Sequence, residues 1–532
     1  MSTPLRIVSS TEMREIDDIA EKNFGLEPVI LMENAGRAAA QILLEKYPSA
    51  GIASEILVFC GKGNNAGDAF VLARRLICLN RRVRVFHLEA RERYQGASKR
   101  NLEILAKLNA KMALLENISD LQAFFASSPG PFTIVDGLLG TGLKGNLEGL
   151  FSEVVEAINK LNSNEVIALD IPTGVSGDTG NIHGTCIQAS LTVSFGFPKL
   201  GHFLPPGAAR RGELVNVDIS LPPRFQKEGD KFLLTRAPLE TFIKERDRYG
   251  HKNSFGSTLL IGGSPGRLGA ITMASRACHR MGTGLVTVAT WEDTFNTLLV
   301  KLPDETMAVP LKLQGEELET YKRSLSIYSS IVIGPGLGVR PEGKDLLETL
   351  LAHYKGPMVL DADALNLISE YKLHSLLVNR RAPTVLTPHL GEMARLMATE
   401  KALISSNPQE YLRELVSKTH AITVLKGAAT LITSPEEKFY LNHYPNEGMA
   451  TAGSGDVLAG MIGGLLGQGM DAFKATLLGV YLHSLAGDFA ARSRGHRSMT
   501  APDIIEGISD AFKEIKNPKA PAPKTPGRAY LL

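Results

Sequence analysis

The chain has 532 residues, several times the ~150 residues of a typical domain, so two sizeable domains are expected rather than one. Apolar residues make up 44% and charged residues 21%, a balance that excludes a disordered or fibrous protein. Lysine and arginine number 58 against 56 acidic residues, so the net charge indicates neither nucleic acid nor an anionic membrane as a partner.

The N-terminus and the cysteines point to a cytoplasmic protein. Charged residues occur in the first segment before any apolar stretch of signal-peptide length, and no apolar run of ~18 residues follows. The four cysteines lie far apart without C-x-x-C spacing, which disfavours a disulfide framework or a zinc knuckle.

Two helices are predicted first, over residues 12–24 and 28–47, from their apolar spacing and an acidic first turn. Apolar runs then alternate with helical stretches, a pattern typical of α/β chains with mainly parallel sheets. Most runs are hydrophobic throughout, as strands covered on both faces are. The predicted strands of the first half are 54–60, 83–88, 132–136, 165–172, 191–197 and 213–219.

Prolines and mixed charges break this periodicity over residues 221–245 and predict a domain boundary near residue 235. The proline-rich residues 516–532 are predicted to form a mobile tail, which leaves domains of 1–235 and 236–515. The predicted strands of the second domain are 257–263, 285–290, 330–336, 357–363, 383–389, 421–427 and 438–442.

Glycine is frequent, 51 residues of 532, and its clusters follow the predicted strands, where open α/β sheets bind ligands. Residues 60–70, CGKGNNAGDAF, lie between a strand and a helix, which suggests an anion or phosphate at the helix N-terminus. They form neither a Walker A motif nor the dinucleotide fingerprint, which they miss by one residue. A structural turn stays open as an alternative, although Asn64, Asn65 and Asp68 favour a site.

Asp136 and Asp170 each end a predicted strand beside a loop of small residues. Together they could hold a cation or act as acid and base, whereas each alone could cap a turn. GTGLKG, residues 140–145, matches G-x-G-x-x-G literally, but no acidic-ended strand completes a dinucleotide unit, so this match is weak.

GSGD, residues 453–456, is the most specific motif of the second domain. Its N–H groups and helix dipole would bind the end of a polyphosphate, and Asp456 would face the attacking hydroxyl. The dipole favours an ionised carboxylate, so Asp456 is expected to be a weak base; a plain N-terminal cap is the alternative.

His389 and Glu392 form an H-x-x-E pair without a second histidine, so a substrate contact by His389 is favoured over a zinc site. Lys426 ends a predicted strand and could neutralise phosphate, although lone lysines are usually solvated.

These motifs resemble the bifunctional bacterial NAD(P)H-hydrate repair enzymes over nearly the whole chain. GNNAGD, GLLGTGLKG and ALDIPTG look like NAD(P)H-hydrate epimerase. GGS…GA, GPGLG, DADAL, TPHLGE, KGAAT and GSGDVLAG resemble the ADP-dependent NAD(P)H-hydrate dehydratase. The resemblance implies an α/β protein with an N-terminal Rossmann-like three-layer domain and a ribokinase-like α/β domain.

The implied activity is repair of a cofactor in which water has added to the reduced nicotinamide ring. The first domain would interconvert the R and S hydrates, with Asp170 moving a proton. The second would phosphorylate the S hydrate from ADP, with Asp456 as catalytic residue, and release of phosphate would give NAD(P)H and AMP. The expected partners are these small molecules alone, and the expected assembly is a homo-oligomer.

The resemblance also transfers binding residues, position by position. Potassium would be held by Asn65, Asp136 and Thr173, and magnesium would serve the dehydratase. The S hydrate would contact Ala270, Gly338, His389 and Asp456. The epimerase substrate residues would be Asn64, Asn65, Ala66, Gly67, Asp68, Gly140, Thr141, Gly142, Leu143, Lys144, Gly145, Asn146 and Asp170. The nucleotide residues would be Lys426, Gly427, Ala428, Ala429, Thr430 and Gly455.

Three motifs depart from the family pattern. NNGGDG reads NNAGDA here, so Ala66 and Ala69 add methyl groups that bear on epimerase efficiency. Thr173 replaces a common serine, and GSGD replaces GTGD, each with retention of a hydroxyl. The alternative function is a vitamin-alcohol kinase of ribokinase-like fold whose N-terminal domain is a non-catalytic binding module.

Overall fold

The computed structural model describes residues 4–128, 130–143, 145–161, 165–312, 322–436, 438–516 and 529–531. The chain divides into two compact units: an N-terminal unit, Arg6–Gly229 with Pro523–Leu532, and a C-terminal unit, Asp230–Ala522 with Met1–Leu5. Within these described ranges, none of the helices combines the length and the apolar character needed to cross a membrane.

The N-terminal unit alternates helices and strands along the chain. Its helices are α1 (Ser10–Phe24), α2 (Pro28–Lys46), α3 (Asn64–Cys78), α4 (Gly96–Lys107), α5 (Ile118–Ser127), α6 (Gly149–Asn159) and α7 (Arg224–Lys227). Strand β1 (Leu5–Arg6) falls at the division between the two units. The strands of this unit are β2 (Glu55–Cys60), β3 (Val83–His87), β4 (Lys111–Leu114), β5 (Phe132–Gly137), β6 (Glu165–Leu169), β7 (Leu191–Phe195), β8 (Glu213–Val217) and β19 (Ala529–Leu531).

A parallel sheet of order β19-β8-β7-β6-β5-β2-β3-β4 forms the middle layer of this unit. Successive side chains of β2 alternate between two cores: Ile56 and Val58 pack with α1 to α4, whereas Leu57 and Phe59 pack with α5 and α6. The order reverses between β2 and β5, and such a switch point opens a crevice at the carboxyl ends of the strands.

The C-terminal unit follows the same alternation. Its strands are β9 (Lys231–Leu233), β10 (Ser257–Ile261), β11 (Leu285–Trp291), β12 (Met307–Leu311), β13 (Ser330–Ile333), β14 (Met358–Leu360), β15 (Thr384–Leu386), β16 (Ile422–Leu425), β17 (Ala429–Thr433) and β18 (Phe439–His443). Its helices are α8 (Arg236–Glu240), α9 (Leu268–Arg280), α10 (Glu292–Leu299), α11 (Pro341–His353), α12 (Asp363–Glu370), α13 (His374–Val378), α14 (Leu390–Leu396), α15 (Lys401–Ser406), α16 (Pro408–Thr419), α17 (Ser454–Gly467), α18 (Ala472–Arg494) and α19 (Ala501–Lys516).

The sheet of this unit has the order β9-β18-β17-β16-β15-β14-β13-β10-β11-β12, and β17 is antiparallel to both neighbours. Helices α9, α17, α18 and α19 contribute side chains to a single hydrophobic core together with β10 and β13 to β16, and α17 is buried along nearly its whole length. The order reverses between β10 and β13, so this unit has its own switch point.

The structure confirms the two N-terminal helices and every predicted strand, with ends that differ by a few residues. The sequence missed the edge strands β4 and β12 and the antiparallel β17, which begins inside the expected KGAAT loop. The predicted break at 221–245 contains α7, β9 and α8. Within the predicted tail, 529–531 form a strand beside β8, while 517–528 lie outside the described residues.

Candidate active sites

A cavity of about 640 Å³ lies at the switch point of the N-terminal unit. Gly61 follows β2, and a Cβ there would stand 2.0 Å from the Leu138 carbonyl oxygen, so only glycine lets the two loops pass so closely. The predicted residues that line the cavity are Asn64, Asn65, Asp68, Gly140, Thr141, Gly142, Leu143 and Asp170.

Other predicted substrate residues lie elsewhere. Ala66 is fully buried in the core beneath α3, and a Cβ on Gly67 would stand 2.4 Å from the Met32 sulfur, so both positions face packed protein. Gly145 and Asn146 are not among the described residues that line the cavity, and Lys144 lies outside the described residues.

Asp170 follows β6 in the left-handed backbone region, with φ of 62°. The ammonium group of Lys199, which is 1% exposed, forms an ion pair with the Asp170 carboxylate. His202 Nδ1 accepts the Lys199 backbone N–H at 3.0 Å, so Nε2 carries the proton and donates to the Asp170 carbonyl at 2.8 Å. Arg211 donates to the His202 carbonyl at 2.6 Å, and this network fixes the carboxylate at the cavity wall.

Four further carboxyl groups in the described part of the chain line the same cavity, and burial shifts the pKa of two of them, Asp17 from α1 and Asp68 from α3. Burial raises the pKa of Asp17 to about 6, against the opposing attraction of Lys199. Burial, with the charges of Asp170 and Asp17, raises the pKa of Asp68 well above its usual value. The cavity therefore combines a carboxylate paired with an ammonium group and two carboxyl groups whose pKa is raised by burial.

Asn65, Asp136 and Thr173, the predicted potassium ligands, include a tightly bonded pair. The Thr173 hydroxyl donates to Asp136 Oδ1 at 2.7 Å, and its backbone N–H donates to Oδ2 at 2.8 Å. Burial raises the pKa of Asp136 to about 6. The Asn65 amide oxygen is buried and has no hydrogen-bond partner in the described part of the chain. An unsatisfied oxygen and two further oxygen donors fit a hard cation.

The C-terminal unit repeats the switch-point geometry. A Cβ on Gly262, after β10, would stand 2.2 Å from the Pro335 carbonyl oxygen of the loop after β13. The Gly338 backbone N–H donates to Asp363 at the start of α12, at 2.8 Å. Ala270 lies on α9 beside this loop, since a Cβ on Gly336 would contact its methyl group at 3.3 Å. The first turn of α9, which carries Ala270, thus meets the loop that carries Gly338 at this edge.

Lys426, at the end of β16, connects the remaining predicted residues. Its ammonium group lies 2.7 Å from Asp361 Oδ1, which also accepts a hydrogen bond from Thr387 at 2.8 Å. It lies 4.0 Å from Glu392 and would stand 3.1 Å from a Cβ on Gly455 at the start of α17. These contacts bring together the carboxyl ends of β14, β15 and β16 and the GSGD motif.

Asp456 lies in the first turn of α17, not at its cap, which is Gly453. Burial raises its pKa to about 7, and the nearby Asp361 adds to the effect while Lys426 opposes it. The expectation of a weak base was wrong, because burial among carboxylates outweighs the helix dipole.

His389 and Glu392 form a capping box at the start of α14. His389 Nδ1 accepts the backbone N–H groups of Gly391 and Glu392, at 2.9 and 3.2 Å, which leaves Nε2 as the donor. The imidazole is about half exposed, and His389 forms an isolated β-bridge with Lys426. Gly427 and Ala428 lie in the turn that follows Lys426, and Ala429 and Thr430 begin β17.

In comparisons with known proteins, two separate family models match the two halves of the chain. Residues 258–510 match the family model described as NAD(P)H-hydrate dehydratase, and residues 28–201 match the one described as YjeF-related protein N-terminus. A bifunctional NAD(P)H-hydrate repair enzyme of Moorella thermoacetica is 40% identical over 517 residues, which cover 96% of this chain and 97% of that protein. The chain belongs to this family.

The bifunctional NAD(P)H-hydrate repair enzyme of Escherichia coli is 33% identical, over 98% of this chain and 95% of its own. A Bacillus subtilis structure, described as an ADP/ATP-dependent NAD(P)H-hydrate dehydratase with ATP and Mg²⁺, is 26% identical with a TM-score of 0.46, and covers 53% of this chain and 98% of its own. By its membership of this family, the chain is a bifunctional NAD(P)H-hydrate repair enzyme with an epimerase domain and a dehydratase domain.

Asp17 and Lys199 are the cavity residues that sequence reasoning missed. Met13, Asp17 and Ala20 share one face of α1, and both apolar neighbours are buried, so an acidic residue on an apolar face was the available signal. Lys199 follows the end of β7 and had no glycine cluster to mark it.

Proposed function

We propose that residues 1–235 epimerise the R and S hydrates of NAD(P)H at the N-terminal cavity, and that residues 236–515 dehydrate the S form with ADP. The observation that carries this proposal is a separate carboxylate site at the carboxyl ends of the strands of each sheet, around Asp170 in one and Asp456 in the other.

The epimerase proposal rests on the chemistry of the hydrate. Water adds to the carbon beside the ring nitrogen, because the nitrogen lone pair stabilises positive charge there. Inversion requires the hydroxyl to leave with a proton as a C=N bond forms, and water to return on the other face with loss of a proton. Asp170 accepts that last proton, since it lines the cavity and the Lys199 ammonium group holds its side chain in place.

Potassium would be held by Asn65, Asp136 and Thr173. The unpartnered Asn65 amide oxygen and the buried Asp136 supply the donor type and the charge that a hard cation needs. When bound, the ion would hold the two switch-point loops together and compensate the buried carboxylate charge. In its absence, desolvation leaves that charge costly, which is the cause of the raised pKa of Asp136.

The dehydratase proposal assigns the proton of the hydrate hydroxyl to Asp456. As that oxygen bonds to the terminal phosphorus of ADP, the phosphoanhydride bond breaks and AMP leaves. Phosphate then departs from the ring carbon, and loss of a ring proton restores the double bond of NAD(P)H. Lys426 and the N–H groups at the start of α17 face the phosphates.

Magnesium fits this edge as an ion carried by nucleotide phosphates. Asp361, Glu392 and Asp456 outnumber Lys426, so negative charge remains for a cation. Among the described residues, no group of three acidic, histidine or cysteine side chains forms a cage of its own. Magnesium typically takes one or two carboxylates together with phosphate oxygens, and it would neutralise phosphate charge.

The test uses two full-length variants, Asp170→Asn and Asp456→Asn, with the R and S hydrates supplied separately. We expect Asp456→Asn to lose return of reduced-ring absorbance from the S hydrate with ADP, while R and S still interconvert. We expect Asp170→Asn to restore NAD(P)H from the S hydrate but to leave the R hydrate at its enzyme-free rate. Loss of both activities in either folded variant would contradict two independent sites.

A further inference from the structure

We infer that Asp17 is the second proton-transfer residue of the epimerase site, the group that protonates the leaving hydroxyl while Asp170 deprotonates the returning water. This inference rests on the proposed epimerase function and adds the partner that its chemistry requires. Asp17 precedes residue 28, where the family model of the first domain begins to match.

The first argument is placement. Asp17 and Asp170 line the same cavity from different elements, one from α1 and the other from the end of β6. One Asp17 carboxyl oxygen is buried and has no hydrogen-bond partner in the described part of the protein. A buried polar atom without a partner is costly unless a ligand completes it, and the cavity is where a ligand would lie.

The second argument is a comparison of charges. Lys199 pairs directly with Asp170, so its ammonium group neutralises one carboxylate. Asp17 and Asp68 both interact with the charges of Lys199 and Asp170. Burial raises the pKa of Asp17 and of Asp68, so it disfavours the ionised form of each. The site therefore holds transferable protons beside a fixed carboxylate, as a two-sided inversion requires.

The proton and atom balance closes without a further reactant. Asp17 gives its proton to the ring hydroxyl, the C–O bond breaks, and water leaves as the nitrogen lone pair forms the C=N bond. A water adds to the opposite face and passes a proton to Asp170. The reverse reaction returns the proton, and successive turnovers in one direction re-equilibrate the two groups with solvent.

Charged residues from several elements surround Asp17. Arg14, Asp18 and Glu21 lie on its own helix, and Lys62, Asp68, Asp170 and Lys199 reach the cavity from other elements. Because the acid form is required, the epimerase kcat/KM should fall as pH rises through about 6, the value to which burial raises the pKa of Asp17.

The experiment compares Asp17→Asn, Asp17→Glu and Glu15→Gln in the full chain, with the R hydrate, ADP and excess Asp170→Asn protein so that epimerisation limits the rate. We expect Asp17→Asn to lower the epimerase kcat/KM about 100-fold and to abolish the fall of kcat/KM as pH rises through about 6. Asp17→Glu keeps a carboxyl group and should restore part of the rate and part of the pH dependence. Glu15→Gln changes an exposed side chain of the same helix and should behave as wild type. Dehydration of the S hydrate, measured with each variant, should not change.

Two results would overturn the inference. One is near wild-type R-hydrate conversion by Asp17→Asn; the other is a lower rate with the pH dependence intact, which would indicate a structural role. Conversion of the R hydrate by Asp170→Asn alone would instead refute the proposed role of Asp170. A pH dependence that disappears in Asp68→Asn but persists in Asp17→Asn would assign the proton to Asp68.

Discussion

At the scale of single residues, burial decides which carboxyl groups hold protons. Asp17 and Asp68 line one cavity beside Lys199, and Asp456 lies near Lys426 and Asp361 in the other unit. In each place several carboxyl groups lie close together and away from water, so the pKa of Asp17, Asp68 and Asp456 is raised. The positions of Asp170 at a strand end and of Asp456 at the start of a helix could be predicted from sequence, whereas the burial that sets proton affinity depends on residues distant in the chain.

The first residue-scale prediction concerns the pH dependence of the dehydratase. Asp456 acts as a base only when ionised, and burial raises its pKa to about 7, so kcat/KM for the S hydrate with ADP should rise through pH 7 and level off above it. At pH 6 the carboxyl is about one-tenth ionised, and the rate should be about one-tenth of the plateau. Steady-state kinetics from pH 5.5 to 8.5 measure this; a flat profile would exclude Asp456 as the base.

The second residue-scale prediction concerns Thr173 and potassium. Thr173→Val keeps the shape but removes the hydroxyl that donates to Asp136 and accepts from Leu139 at 3.0 Å. We expect the potassium concentration for half-maximal epimerase activation to rise about 10-fold, equivalent to ~1.4 kcal/mol. Potassium titrations of R-hydrate conversion measure it, with Thr173→Ser as the control that keeps the oxygen. An unchanged titration would remove Thr173 from the ligand set.

At the scale of elements, periodicity predicted strands that are buried on both faces and missed those that are not. In β4, Lys111 and Leu114 are exposed, and in β12 Met307 is exposed, so neither edge strand is hydrophobic throughout. The hairpin strand β17 was missed because its first residues, Ala429 and Thr430, read as the end of a glycine loop. In helix α3 the sequence motif suggested a binding site, but Ala66 and Ala69 of that motif are buried in the hydrophobic core.

The element-scale prediction follows from that packing of α3. Ala69 is fully buried in the helix and is not among the described residues that line the cavity, so its methyl group supports folding rather than obstructing substrate. Ala69→Gly should destabilise the N-terminal unit by about 1–2 kcal/mol, from helix propensity and a lost buried methyl group. Epimerase kcat/KM should stay within about twofold of wild type.

Half-inactivation temperatures of the two activities measure this effect. The epimerase value should fall by about 2–4 °C per kcal/mol, while the dehydratase value of the same sample is the internal control. A rise in epimerase kcat/KM for Ala69→Gly would show instead that the methyl group, which departs from the family pattern, restricts the site.

At the scale of the whole molecule, each unit has its own sheet, its own core and its own switch point. The order of strands along the chain could be predicted, because each strand is a local run of hydrophobic residues. The order of strands within a sheet could not, since pairing joins segments as distant as β2 and β5. The positions of both sites follow from that pairing, which is why glycine loops located them only approximately.

Separate sites make a whole-molecule prediction that single variants cannot test. An equimolar mixture of Asp170→Asn and Asp456→Asn chains should convert all of a mixed R and S hydrate preparation to NAD(P)H with ADP, because the S hydrate formed by one chain diffuses to the other. Asp170→Asn alone should stop near the S fraction, and Asp456→Asn alone should restore none. Reduced-ring absorbance follows all three reactions. If the mixture stopped at the level of Asp170→Asn alone, the S hydrate would have to pass between sites of one chain, and the two units would not act as independent enzymes.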